Sequence, residues 1–297
     1  MIKIFITYSI KNNNEANLST IPQNIVGIDL GQTLTKIAYM DKDDLYLSIH
    51  PTQDSYDYIK NYLVDNNLTD MKLNLTGGKA YYFQEQLFQS YKSSIFNEFE
   101  ANVNGIDILF NLKKSKNFPN ALIITIGTGS SIILKKESYE HIGGSALGGG
   151  FFMALLKLLY NITSFDEAIE LAQQGNRYKV DLKVADIYSP EDQRISAIFR
   201  EFTAASLGKI NNQGKVENYD SQDLLNSLIC MIGENVGSIA IEKAIYHKVK
   251  YLIFCGGFVS NNKPLKQTLT MLCTINQKKA MFLNHSIFAG AIGTLIL

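Results

Sequence analysis

Three glycine-bearing turns, each entered from an apolar β-type run, are the residues of this chain best suited to chemistry. They are Val26-Gly27-Ile28-Asp29-Leu30-Gly31-Gln32-Thr33, Leu122-Ile123-Ile124-Thr125-Ile126-Gly127-Thr128-Gly129-Ser130-Ser131 and Leu252-Ile253-Phe254-Cys255-Gly256-Gly257-Phe258. Glycine lets the backbone turn tightly and approach a ligand closely, and bare N–H groups at such turns form anion-binding concavities. Three of them at wide spacing imply two half-domains closing on one phosphate-bearing ligand. In the first turn, Asp29 stands where a strand ends, and its carboxylate can hold a hydrated Mg2+, a hard cation that takes oxygen ligands and keeps its waters. Gly31 lets the backbone pass under a phosphate, and Thr33 offers a hydroxyl and an N–H. Taken alone, the motif is equally a plain β-hairpin with a glycine turn.

The elements that must position these turns follow from periodicity. Residues 25–29 form a buried strand and 33–40 its hairpin partner, with 45–49 as a third strand. Helical spacing marks 56–66 and 80–89, with a short strand at 72–75 between them. In the second half, β-type runs at 121–134 and 250–258 flank helical patterns at 151–160, 164–174, 196–210 and 224–247. Two rounds of strand–turn–strand followed by helices indicate a duplicated α/β plan. Residues 9–24 are polar and Asn-rich, and 1–24 is expected to be a poorly ordered lead-in.

The chain has 297 residues, 46% of them hydrophobic and 19% charged, enough for a substantial core in one or two domains. Lys+Arg 28 balances Asp+Glu 28, so no basic excess points to nucleic acid and no basic amphipathic helix to a membrane surface. The longest apolar stretches, such as 286–297, look too short to cross a bilayer. Cys230, Cys255 and Cys273 lie far apart without CxxC spacing, which argues against a disulfide framework or structural zinc and for a reducing compartment. A cytoplasmic location is expected.

The first hairpin resembles the first phosphate motif of the actin-like ATPase superfamily. Gly127-Thr128-Gly129-Ser130 resembles its second phosphate motif, and Gly256-Gly257-Phe258 its adenosine motif. More narrowly, from about Val26 to Leu297 the chain resembles the type II pantothenate kinases. Further segments carry the likeness: Leu75-Thr76-Gly77-Gly78, Asn97-Glu98-Phe99-Glu100-Ala101, Gly143-Gly144-Ser145-Ala146-Leu147-Gly148-Gly149-Gly150, Gly175-Asn176-Arg177 and Phe288-Ala289-Gly290-Ala291-Ile292-Gly293. The resemblance implies an α/β actin-like ATPase (ribonuclease H-like) duplicated two-domain fold with a central nucleotide cleft. The domains would be 25–115 and 116–297, the second carrying dimerisation helices. It also implies ATP and Mg2+ as cofactors, pantothenate as acceptor, a homodimer, and coenzyme A or its thioesters as a feedback ligand in the same cleft.

Carried over residue by residue, the resemblance places nucleotide on Asp29, Gly31, Gln32, Thr33, Lys36, Gly127, Thr128, Gly129, Gly256, Gly257 and Phe258, with Asp29 also toward the metal. Glu98 matches the family's catalytic carboxylate. Phosphoryl transfer needs positioning, charge neutralisation and a carboxylate to accept the hydroxyl proton; from sequence alone a solvated loop acid is the commoner fate. Lys36 can neutralise phosphate oxygens or be a surface lysine. Ser145, Gly148, Gly149, His141 and Arg177 are expected at the acceptor. N–H groups where a helix begins near residue 151 are suited to an anion or a carboxylate. Arg177 suits bidentate recognition or an interhelical salt bridge, and Phe258 adenine stacking or core packing. The chain departs from the family at Gln32, where a glycine is usual, and at His141, where an arginine is usual. A histidine, mostly uncharged at neutral pH, removes a permanent bidentate donor. Two rival readings are a related kinase for another small alcohol and a catalytically weak homologue that binds nucleotide or coenzyme A.

Overall fold

The computed structural model describes residues 6–11, 18–53, 55–87, 91–113, 118–212 and 219–297. In chain order the first half contains β1 (Ile6–Ile10), β2 (Ile25–Leu30), β3 (Leu34–Asp41), β4 (Asp44–Pro51), α1 (Asp57–Asp65), β5 (Lys72–Thr76), α2 (Ala80–Leu87), β6 (Ser93–Ile95) and α3 (Glu98–Lys113). The second half contains β7 (Ala121–Ile126), β8 (Ser130–Lys135), β9 (Tyr139–Ser145), α4 (Gly149–Tyr160), α5 (Phe165–Gln174), β10 (Leu182–Lys183), α6 (Ala197–Arg200), β11 (Thr203–Ala205), α7 (Gly208–Asn212), α8 (Ser221–Tyr246), β12 (Tyr251–Cys255), α9 (Lys263–Ile275), β13 (Lys279–Met281) and α10 (Ala289–Thr294).

The duplication expected from sequence is present in five strands of each large sheet, with β1 an addition to the first. One sheet runs β1-β4-β3-β2-β5-β6 and the other β13-β12-β7-β8-β9. In the first, β2 pairs antiparallel with β3 and parallel with β5. In the second, β7 pairs antiparallel with β8 and parallel with β12. The first two phosphate-type turns therefore leave the C-terminal ends of equivalent strands, β2 and β7, and the third leaves β12, the counterpart of β5.

Side-chain alternation sorts these strands between layers. Leu122 and Ile124 face a core shared with α4, α5, α8 and α9, while Ala121 and Ile123 face the middle of the molecule. On β2, Val26, Ile28 and Leu30 pack toward α1 and α2. Between the two sheets lie α3 and α10, crossing so closely that a Cβ on Gly293 would come within 1.8 Å of the Ala101 carbonyl oxygen. Side chains larger than hydrogen there would push α3, and Glu98 with it, away from β2.

Several expectations need correction. Within the supposed lead-in, residues 1–5 and 12–17 lie outside the described residues. The remainder is ordered: β1 pairs with the edge of β4, and Leu18 and Ile21 are buried. The β-branched and aromatic content of Ile6-Thr7-Tyr8-Ser9-Ile10 suits an edge strand. The helix expected over 196–210 is instead α6, β11 and α7, because Phe202 and Thr203 are drawn into pairing with Val184 and Lys183. Among the described residues α8 is long and apolar enough to cross a bilayer, so the expectation that no stretch reaches that length was wrong; most of its apolar window is buried in the core. The three cysteines are free and buried, and burial pushes the Cys255 thiol up to about 11.

Candidate active site

The hairpin register puts Asp29 on β2 directly opposite Lys36 on β3. Lys36 Nζ lies 3.0 Å from Asp29 Oδ2, and both side chains are largely buried. Lys36 is thus an internal cation rather than a surface lysine. Thr76 Oγ1 donates to the Phe96 carbonyl at 3.1 Å, fixing the chain just before α3. Asn97 Oδ1 then accepts from Phe99 N at 2.8 Å and Glu100 N at 3.3 Å, capping the helix on which Glu98 is the first residue. A cap residue followed three positions later by Glu marks this helix start in Asn97-Glu98-Phe99-Glu100.

Glu98 is solvent-exposed, with its carboxylate partly desolvated by its surroundings. That desolvation raises its pKa, the negative charge of Asp29 adds to the rise, and Lys36 opposes it. A carboxylate with a raised pKa is a better proton acceptor near neutral pH, and a cleft carboxylate perturbed by burial and a specific charge is a functional-site candidate.

All three turns converge here. Gly31 N donates to the Leu34 carbonyl at 3.1 Å and Gly127 N to the Gly129 carbonyl at 2.8 Å, forming two compact loops. The hydroxyls of Thr33 and Thr128 meet at 3.2 Å, joining the first turn to the second. Gly256 has φ +100° and lies against the Ile126 carbonyl, a place with no room for a side chain. Phe258 N donates to that same carbonyl at 3.0 Å, and the open side of Gly257 faces Leu34 of the first hairpin. Gln32 is exposed at the tip of the first turn.

The glycine run serves differently from the expectation. Gly149 N donates to the Gly127 carbonyl at 2.7 Å and Gly150 N to the Thr128 carbonyl at 2.9 Å. A Cβ on Gly148 would press on three carbonyls of the second turn. Those two N–H groups brace the phosphate turn from behind and are already occupied. Ser145 Oγ accepts from Leu147 N at 3.1 Å and its carbonyl accepts from Ser130 Oγ at 3.2 Å, shaping the approach to that run.

Two further roles are corrected. Phe258 is 2% exposed and packs with the rings of Phe152 and Phe165, so it supports the third turn from the core and does not stack on adenine. Arg177 is buried, with Nε 2.6 Å from Asp181 Oδ2 and its other two nitrogens 2.7 and 3.1 Å from the Glu234 carboxylate. Its fork is spent on protein carboxylates and offers nothing to a substrate. His141, on β9, stacks on Phe99 with ring centroids 4.2 Å apart and planes at 7°, one residue from Glu98.

Among the described residues no group of three or more His, Cys, Asp or Glu forms a ready metal cluster. A single carboxylate at the turns fits Mg2+, which is bound by one or two carboxylates together with phosphates and water.

Residues 45–297 match the model of the Fumble family. The chain is 35% identical over 279 residues to a type II pantothenate kinase of Bacillus anthracis, covering 92% of this chain and 97% of that protein. It is 31% identical over 276 residues to one from Staphylococcus saprophyticus, covering 92% and 99%. Among solved structures, the activator of the 2-hydroxyisocaproyl-CoA dehydratase from Clostridium difficile, with bound ADPNP, superposes with a TM-score of 0.60 at 14% identity over 92% of each chain. A ROK family glucokinase from Streptomyces griseus, in complex with glucose and AMPPNP, gives 0.54 at 11% identity over 91% of this chain and 97% of that one. Likeness at such identity shows the fold alone, the actin-like ATPase architecture.

Proposed function

The chain belongs to the type II pantothenate kinase family, and we propose that it transfers the γ-phosphoryl group of ATP to the primary hydroxyl of pantothenate, the first step of coenzyme A synthesis. The observation that carries this is Glu98 at the start of α3, within electrostatic reach of the Asp29–Lys36 pair, in the hairpin whose turn meets the second turn through Thr33 and Thr128. The two turns hold the phosphates through backbone N–H groups and threonine hydroxyls. Asp29 would hold Mg2+ through its waters, and the ion would supply neutralising charge to the phosphates. Lys36, already facing Asp29, adds a fixed positive charge in a largely water-excluded place. Glu98 takes the hydroxyl proton as the acceptor oxygen bonds to the γ-phosphorus and the bond to the bridging oxygen breaks, leaving ADP.

The further roles are proposals of the same kind. The acceptor lies between Glu98, Ser145 and His141, and coenzyme A or a thioester competes for the same cleft. The chain divides near residue 115, acts in the cytoplasm, and works as a homodimer. Support for the dimer is the apolar surface that α4 and α8 leave exposed, with Leu158 at 80% and Tyr246 at 81%. His141 favours a second reading, a kinase for another small alcohol, because it stands where the family usually has arginine.

Purified, Mg2+-saturated protein in a coupled ADP-release assay is the test. ADP release dependent on pantothenate is expected. Release dependent on pantetheine or a sugar instead would select the second reading.

A further inference from the structure

Immediately after β4, Thr52 grips both shoulders of the first phosphate turn. Its Oγ1 donates to the Gly31 carbonyl at 2.9 Å, and its backbone N–H donates to the Thr33 carbonyl at 2.8 Å. With Gly31 N already bound to Leu34 O, the carbonyls on this side of the turn are tied back, and the N–H groups of Gln32 and Thr33 stand outside that set. Behind Thr52 the polar contacts continue inward. Thr35 Oγ1 lies 3.0 Å from Thr52 Oγ1 and 2.7 Å from the Tyr58 hydroxyl. Thr35 is fully buried and Tyr58, on α1, is 4% exposed. A buried hydroxyl relay of this kind is costly unless its members satisfy one another, and when they do it fixes a single arrangement.

We propose that Thr52 is a positioning residue for nucleotide binding: its hydroxyl, held by Thr35 and Tyr58, fixes the Gly31–Thr33 turn with its amides toward the phosphates. The inference rests on the turn's role as a nucleotide site, and extends it to residues outside that turn. A turn anchored on one side only by its backbone N–H would sample orientations in which its amides no longer converge, and preorganised donors are what make phosphate binding favourable.

The test is direct titration with a fluorescent methylanthraniloyl-ATP in the presence of Mg2+, alongside steady-state kinetics. Thr52→Val keeps shape and backbone N–H but loses the hydroxyl; its Kd is expected to rise about tenfold, equivalent to about 1.4 kcal/mol. Thr52→Ser restores binding to within about twofold, and KM for pantothenate stays put in both. Tyr58→Phe, which removes the far end of the relay, raises Kd about threefold and carries the test if Thr52→Val does not fold. A folded Thr52→Val with wild-type Kd, or equal losses in the Val and Ser variants, would overturn the proposal. Because binding is read without the acceptor, failure to turn over pantothenate is a separate result; wild-type protein that binds no nucleotide would overturn both the turn's role and the clamp.

Discussion

The hydroxyls of Thr33 and Thr128 lie 3.2 Å apart, closing the first phosphate turn on the second across 95 residues of chain. Each turn belongs to a different sheet, so this contact is where the two halves meet at the site. Removing either hydroxyl should cost the other its partner as well as a ligand to phosphate. Thr33→Val and Thr128→Val are each expected to lower kcat/KM for ATP roughly tenfold, the loss of about one hydrogen bond. Residues in contact are not additive, so the double variant should fall well short of a hundredfold. A full hundredfold loss in steady-state kinetics would show that the hydroxyls act separately.

Glu98 carries two opposed consequences. As the proton acceptor, its replacement by Gln should lower kcat about 10²- to 10⁴-fold while nucleotide Kd holds. Burial and Asp29 raise its pKa, so the folded protein holds that proton more tightly than the unfolded chain. Stability is therefore lost as pH rises from the ordinary carboxylate range through the raised value, and the cost is present in full above it. Glu98→Gln removes the ionising group, so its Tm should be no lower than wild type at neutral pH and converge with it in acid. Carbon-13 NMR of the carboxyl should place its titration above the usual glutamate range, moving lower in Asp29→Asn. An unshifted titration would sink both expectations.

Arg177 makes the opposite point, a residue of functional type spent on structure. Arg177→Met leaves Asp181 and Glu234 without their cation, Asp181 being fully buried. Breaking a buried pair from one side costs about 3 kcal/mol or more, so Tm should fall by about 6 °C or more. The folded fraction should keep its KM for pantothenate, measured well below the transition; a raised KM would return Arg177 to the acceptor site.

What the amino-acid order made legible was local. Asp29 and Lys36 face each other by counting along one hairpin, and the continuous apolar runs at 121–126 and 251–255 announced central strands. Partners far apart in sequence were not readable. Nothing near Arg177 names Glu234, 57 residues on, and nothing beside Phe258 names Phe152. The same holds for α10. Its Gly290 lies so close that a Cβ would sit 3.0 Å from Asp29 Oδ2, yet only the folded chain reveals that the C-terminus returns to β2.

His141 stacks face to face on Phe99, the neighbour of Glu98, at the position where the family resemblance implies an arginine. An arginine is always charged and presents a planar fork that also stacks on aromatic rings, so it can keep the Phe99 contact while donating to a carboxylate. A histidine has two ring nitrogens and lacks that planar fork of donors. If pantothenate is the acceptor, His141→Arg should lower its KM about tenfold, the worth of a charge-assisted hydrogen bond of about 1.5 kcal/mol, with KM for ATP unmoved. His141→Ala should raise it only about two- to threefold, since the imidazole contributes mainly by packing on Phe99. Steady-state kinetics with both substrates varied will separate these effects. A raised KM in His141→Arg, together with wild-type turnover on another small alcohol, would mean that β9 is shaped for a different acceptor.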